Sequence, residues 1–307
     1  MRIAITGGTG LIGRALGEAL LAEGHAVTVF TRRPDLVDRL PPGAEPALWD
    51  PTDPVRLAEV LRGADAVVNL VGENLAAGRW TKARKERIRR SRVAAGQALS
   101  AALAALPAGE RPRVLLQASA VGYYGPRLDD EPVTEEAPPG HDFLAQVTVA
   151  WEASTAPVEE LGVRRAILRT GVVLSPRGGA LPLLALPVRL FVGGKMGSGR
   201  QWVPWIHLAD EVAAIRFLLE REDAQGPFNL CAPNPVTNAE MVQALGQVLH
   251  RPVWLPVPAL ALRLALGEMS ATVLTGQRAV PQRLLALGFA FRHPTLRPAL
   301  AHLLGQD

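Results

Sequence analysis

Two rhythms of apolar residues alternate along the chain. Residues 2–5, 26–31, 45–49 and 66–71 are short runs rich in apolar side chains, the pattern of strands buried on both faces of a parallel sheet. Between them the spacing becomes helical. Leu11, Ile12, Ala15, Leu16, Ala19 and Leu20 make one face of a helix over 11–23 that stops at Gly24. A short helix over 54–62 closes at Gly63, and a long helix spans 81–106. Residues 113–119 give a fifth strand, 143–161 a helix, and 163–174 contain a sixth strand. Strand–helix alternation with short loops predicts an α/β fold, a Rossmann-type doubly wound parallel sheet. After Ser175 proline and glycine become denser, with a helix over 208–220, a strand over 228–231 and a helix over 237–249. From Pro258 the tail is helical and apolar, broken at Gly267, Gly276 and Gly288. The expected organisation is a Rossmann domain over 1–175, with returns to it from about 201–232. A smaller, interleaved C-terminal α/β lobe covers 176–307, and its helical tail covers 258–307.

The joint between the first strand and the first helix carries the most specific chemistry. It reads Thr6-Gly7-Gly8-Thr9-Gly10-Leu11-Ile12-Gly13. Gly7 permits a tight turn, Gly10 lets backbone approach a pyrophosphate, and Gly13 lets the helix pack close to the strand. The helix N-terminus then offers free N–H groups and partial positive charge to phosphates. This predicts a dinucleotide site built from Thr6, Gly7, Gly10, Leu11, Ile12 and Gly13. NAD binders usually carry an acid after the second strand, which a 2′-phosphate would meet with repulsion. Here Thr31-Arg32-Arg33 follows, with no acid until Asp35, so NADP(H) is expected over NAD(H). Asp50, Leu70 and Gly72, at or just beyond strand ends, complete the expected cofactor set together with Arg92.

Composition narrows the function classes. No apolar run reaches the roughly 20 residues of a membrane span, and the chain enters its first strand without a charged-then-apolar leader, so a cytoplasmic location without a membrane is expected. Cys231 is the single cysteine, which excludes an internal disulfide. The six histidines are scattered without an i, i+4 pair, and no metal site is expected. Net charge is only +4, and all basic residues but Lys82, Lys85 and Lys195 are arginine. No nucleic-acid motif accompanies them, and no nucleic-acid partner is expected.

Several longer strings carry a resemblance. They are the glycine turn, Gly72-Glu73-Asn74-Leu75 with Arg79-Trp80-Thr81, and Ser119-Ala120-Val121-Gly122-Tyr123-Tyr124-Gly125. Others are Arg169-Thr170-Gly171-Val172-Val173-Leu174, Trp205-Ile206-His207-Leu208-Ala209-Asp210 and Gly288-Phe289-Ala290-Phe291-Arg292-His293-Pro294. The chain resembles the extended short-chain dehydrogenases/reductases. More narrowly it resembles epimerase-family proteins with a C-terminal domain of unknown function. The resemblance implies an NADP(H)-binding fold and an oxidoreductase or epimerase acting on a small molecule that it does not identify.

The chain departs from that superfamily at the catalytic pair, a tyrosine with a lysine four residues on. One helical turn sets the ammonium under the phenol, which then serves as general base. Only Tyr123 and Tyr124 exist, neither with a lysine at plus four, and the matching spacing falls on Phe143 and Val147. The superfamily's serine is retained as Ser119. Ser119 and Tyr124 are therefore the catalytic candidates, with Asp142 and Glu73 behind them. For Asp142 an N-cap role competes, as packing does for the tyrosines. An alternative is a non-catalytic NADPH-binding regulator or scaffold acting through a protein partner. A homodimer is a further expectation, and the sequence does not assign the apolar tail a part in it.

The basic stretch Lys82, Arg84, Lys85, Arg87, Arg89, Arg90, Arg92 is expected to face solvent except at Arg92, which shares a stripe with Ile88, Ala95 and Leu99. A buried arginine wants a carboxylate or phosphate. Arg92, with Arg79, is expected to line the cleft near an anionic group. The resemblance also implies an arginine, common in the superfamily's nucleotide-sugar enzymes, two residues before Trp205 to grip the diphosphate; Val203 stands there and Arg200 lies three residues away, so nucleotide sugars become a weaker expectation. Trp80, Trp202, Trp205 and Met196 could supply an apolar substrate face or belong to the core.

Overall fold

The computed structural model describes residues 1–32, 40–127 and 129–305. Its first half winds as the periodicity predicts, through β1 (Arg2–Thr6), α1 (Leu11–Ala22), β2 (Ala26–Thr31), β3 (Glu45–Leu48), α2 (Pro54–Leu61), β4 (Ala66–Asn69), α3 (Lys82–Ala105) and β5 (Val114–Ala120). A 3-10 turn, Val121–Tyr124, leads to β6 (Pro132–Val133), α4 (Phe143–Ala153), β7 (Arg164–Thr170), β8 (Val172–Ser175), β9 (Gly178–Gly179) and α5 (Ala180–Arg189). Then follow β10 (Trp202–Val203), β11 (Trp205–His207), α6 (Leu208–Glu220), β12 (Gly226–Leu230), β13 (Val236–Thr237) and α7 (Asn238–Leu249). The tail holds α8 (Ala259–Leu266), α9 (Ala271–Leu274), β14 (Arg278–Ala279), α10 (Gln282–Ala286) and α11 (Leu296–Leu304).

Seven parallel strands in the order β12-β7-β5-β4-β1-β2-β3 form the central sheet. Side chains alternate across it. Ile3 and Ile5 pack with Leu16, Leu20, Val212 and Ile215 of α1 and α6, while Ala4 packs with Leu57, Leu99 and Leu103 of α2 and α3 on the opposite face. A separate core under α5, α7 and α11 gathers Leu181, Trp205, Met241, Leu245 and Leu300. Trp205 is therefore core, with its indole N–H donating to the Asn234 carbonyl at 3.1 Å. No helix among the described residues is long and apolar enough to cross a membrane.

Three expected elements change shape. The 143–161 helix ends at Ala153 and gives way to a 3-10 turn, Ala156–Val158, around Pro157, which has no N–H for a helical bond. The 163–174 run is two strands in two sheets, turning at Gly171, where a Cβ would lie 2.3 Å from the Pro204 carbonyl oxygen. The tail is not wholly helical, since β14 pairs with β6 in parallel.

Candidate functional site

The glycine turn is shaped by close approach as well as by conformation. Gly7 has φ +72°, and a Cβ there would sit 2.7 Å from the Leu70 carbonyl oxygen, so the turn rests directly on the strand end of β4. A Cβ on Gly13 would lie 2.5 Å from the Gly7 carbonyl oxygen. Gly10 is the N-cap of α1, with no side-chain capping bond and no acid in the first turn. The first N–H groups of the helix therefore face outward beside a cavity of about 380 Å³ lined by Thr9, Gly10, Leu11, Arg14, Arg177 and Leu208. Below the turn a buried polar chain ties the ends of β1 and β4 to the middle of β5. Thr6 Oγ1 donates to Asn69 Oδ1 at 2.6 Å, and Asn69 Nδ2 donates to Gln117 Oε1 at 2.8 Å.

The other expected cofactor positions lie at strand ends around this turn. Thr31 is buried at the end of β2, Arg32 beyond it is exposed, and Arg33 lies outside the described residues. Asp50 is exposed, and its carboxylate accepts from the backbone and hydroxyl of Thr52, which holds it below the usual range. Leu70 donates its N–H to the Thr6 carbonyl. Gly72 packs so closely on Arg92 that a Cβ would meet the guanidinium at 3.0 Å.

Helix α3 grips the loop that follows β4. Arg92 donates to the Ile88 and Glu73 carbonyls and lies 5.0 Å over the Trp151 ring. Burial pushes its guanidinium down to about 10, with Glu73 opposing. No carboxylate bonds it among the described residues. The buried indole N–H of Trp151 likewise has no partner there. The Arg92 guanidinium and the Trp151 indole thus stand without an anionic acceptor where α3 packs on α4. Arg84 departs from the expected solvated face. It is buried, pairs with the Glu73 carboxylate at 2.5 Å and donates to the Asn74 carbonyl. The signal was present, since Arg84 stands four residues before Ile88 on the same stripe. Arg79 does not join the cleft, because its guanidinium is taken by the Leu264 and Ala265 carbonyls at the end of α8.

Each expected acid/base candidate is engaged by protein. Ser119 Oγ donates to Glu152 at 2.6 Å, and Glu152 forms a two-point ion pair with Arg169 at 2.9 and 3.0 Å. Tyr124 is buried, donates to Asn229 Oδ1 at 2.7 Å and accepts from Arg169. Burial pushes its phenol up to about 12 against the pull of Arg169, so the hydroxyl is a structural donor at neutral pH. Asp142 caps α4 through the Ala145 and Leu144 N–H groups. Glu73 is held by Arg84. Tyr123 differs: its ring lies 3.5 Å from the Arg169 guanidinium, and its hydroxyl makes no hydrogen bond among the described residues. Phe143 and Val147 pack with Trp80, Ile88, Leu75 and Met269 in an apolar cluster.

Scattered in sequence, His207, His293 and His302 gather in space. The Ala209 N–H donates to His207 Nδ1 at 2.9 Å, so neutral His207 carries its proton on Nε2, 3.1 Å from His302 Nδ1. Held in that tautomer, His207 offers no lone pair to a metal ion, and the bond instead joins the end of β11 to α11. Burial, then the two neighbouring histidines, push His207 down to about 4.

Comparison with known proteins agrees with this architecture. The chain is 43% identical over 301 residues to epimerase family protein Mb2239 of Mycobacterium bovis, covering 98% of this chain and 96% of that one. The crystal structure of human epimerase family protein SDR39U1 (isoform 2) with NADPH superposes with a TM-score of 0.89 at 34% identity over the full length of both chains. A nucleoside-diphosphate sugar epimerase from Corynebacterium glutamicum matches at 38% identity and TM-score 0.79, over 59% of its own chain. Residues 257–303 match a domain of unknown function. Residues 3–231 match the NAD dependent epimerase/dehydratase family, and the chain belongs to it.

Proposed function

We propose that this chain binds NADP(H) across the Gly7–Gly13 turn and acts as an oxidoreductase or epimerase on a small molecule, without the tyrosine–lysine pair of the superfamily. The observation that carries this reading is the uncapped N-terminus of α1 above glycines whose Cβ positions are filled by backbone. The NADPH in the human relative supports the same cofactor here. Thr6, Gly7, Gly10, Leu11, Ile12 and Gly13 would hold the pyrophosphate. Thr31 and Arg32 would flank the 2′-phosphate, and Leu70, Gly72 and Arg92 would border the central cleft. Asp50 would sit at the adenosine end. When bound, the nicotinamide supplies or accepts hydride. With Ser119 and Tyr124 committed to the buried network, Tyr123 is the tyrosine whose hydroxyl is free to exchange a proton with substrate. The apolar fill at Phe143 and Val147 favours a second reading, an NADPH-binding regulator without turnover.

Gly10→Asp separates binding from folding. Gly10 has φ −78° and ψ 173°, which an aspartate N-cap adopts, and its Cβ would lie 3.2 Å from the Gly7 carbonyl oxygen, so the helix should be retained after a small shift of the turn while a carboxylate meets the diphosphate. We expect NADPH affinity, read by nucleotide fluorescence, to fall roughly hundredfold or more, with the chain still folding cooperatively at a slightly lowered melting temperature. Oxidation of NADPH in a pooled metabolite extract by the wild type, lost in Gly10→Asp and strongly reduced in Tyr123→Phe, supports the enzyme. Tight binding without oxidation or epimerisation supports the regulator. Unchanged affinity in Gly10→Asp refutes the cofactor site.

A further inference from the structure

One face of the C-terminal lobe is apolar where solvent would ordinarily select polar residues. Leu183, Leu186 and Leu190 follow one another at helical spacing along and just past α5, and Leu183 and Leu190 are 66% and 62% exposed. Phe191 and Val192 extend the stripe. Trp254, 65% exposed, joins it through its indole N–H to the Phe191 carbonyl at 3.1 Å. The backbones beyond run side by side, with the Leu255 N–H on the Gly193 carbonyl and the Val257 N–H on the Lys195 carbonyl. The patch is thus a single braced surface, and contiguous apolar exposure of this kind marks an interaction site.

Its electrostatics are one-sided. No Asp or Glu stands between Glu160 and Asp210, nor between Glu240 and Glu268. These two stretches supply the whole patch, and they contain Arg189, Lys195 and Arg251. The Arg251 guanidinium lies 4.7 Å over the Phe191 ring, which places a cation at the rim of the apolar surface. The neighbouring helix α7 contributes one acid, Glu240, and that is held in the capping box at the helix start. A stripe of exposed leucines, flanked by an exposed Phe and Trp with Arg251 against the Phe191 ring, on two stretches that hold cations and no acid, has the composition of an interfacial membrane contact. Leucines enter the acyl boundary, Trp and Phe sit at headgroup level, and arginine reaches phosphate.

We infer that this face docks on an anionic lipid surface, with α5 in the plane of the interface. This differs from a membrane span, and it is independent of the proposed NADP(H) chemistry. The attraction comes from a few cations near the surface, each adding on the order of fivefold to the partition coefficient at low salt.

Flotation with phosphatidylcholine vesicles containing one quarter phosphatidylglycerol tests the proposal on the full chain. The expected result is co-flotation with the anionic vesicles, at least tenfold weaker on pure phosphatidylcholine, and lost in Leu186→Glu/Leu190→Glu. Both leucines are more than half exposed, so this variant should keep the wild-type melting temperature and NADPH affinity. Arg189→Gln should weaken flotation and reduce its salt dependence. Absence of flotation, or flotation undiminished in the double variant, overturns the inference. A concentration-dependent dimer abolished by the double variant, without vesicle binding, would assign the face to a second copy of the chain instead.

Discussion

Glu211 lies in the first turn of α6 and is 1% exposed, with Oε1 accepting from the Thr170 hydroxyl at 2.8 Å and Oε2 unpartnered among the described residues. Burial pushes its carboxyl up to about 8, with Thr170 pulling the other way. A raised acid binds its proton more tightly in the folded state, so stability falls as pH rises from about 4.5 towards 8. His207 works in the opposite sense. Held down to about 4, it leaves the unfolded state binding more protons, so stability falls as pH drops from about 6.5 to 4. Glu211→Gln keeps the acceptor for Thr170 and removes the titration. Urea unfolding should show the variant more stable than wild type at pH 8.5, by on the order of 4 kcal/mol, and within about 1 kcal/mol of it at pH 5. An equal difference at both pH values would mean that Glu211 is not protonated in the folded chain.

At the scale of elements, α4 is tied to α3 through an apolar cluster. Its first turn packs Phe143 edge-on to Trp80 with centroids 5.3 Å apart, and Val147, 2% exposed, meets Ile88 of α3. Phe143→Tyr/Val147→Lys would recreate the superfamily spacing but force an ammonium into that cluster. We expect a loss of about 3 kcal/mol in urea unfolding and no gain in NADPH turnover. Retained stability with new activity would place Val147 on the cofactor side instead. The long elements were legible in the sequence because a helix or a buried strand repeats its pattern over many residues. The pairing of β6 with β14 was not, since two-residue strands have no period to read. The site divides the same way. Its glycine turn is a local sequence, whereas the Ser119–Glu152–Arg169–Tyr124 network joins residues far apart in the chain, and only the sheet order brings them into contact. The burial of Arg84 could have been read from its spacing to Ile88, but its partner Glu73 lies on a loop without periodicity.

At the scale of the molecule, the C-terminal segment is bonded into the Rossmann body at points remote from one another. The Gln277 side chain donates to the Val121 carbonyl and Arg283 to the Pro227 carbonyl. The backbone N–H groups of Arg292 and His293 both donate to Asp210 at 2.9 Å. Leu284 and Phe289 complete the same core layer as Ile3 and Leu16. Because one core crosses both regions, the segment cannot leave without exposing apolar surface of the central sheet, and the chain should unfold as one cooperative unit. Scanning calorimetry should give a single transition with equal calorimetric and van't Hoff enthalpies. NADPH at about 100 times its dissociation constant should add roughly 2.7 kcal/mol, raising that whole transition by about 5 °C. An earlier transition that NADPH leaves unmoved would show the C-terminal segment to be a separate folding unit. The bonds to Val121, Asp210 and Pro227 would then be contacts made after folding, with no part in holding the cofactor domain together.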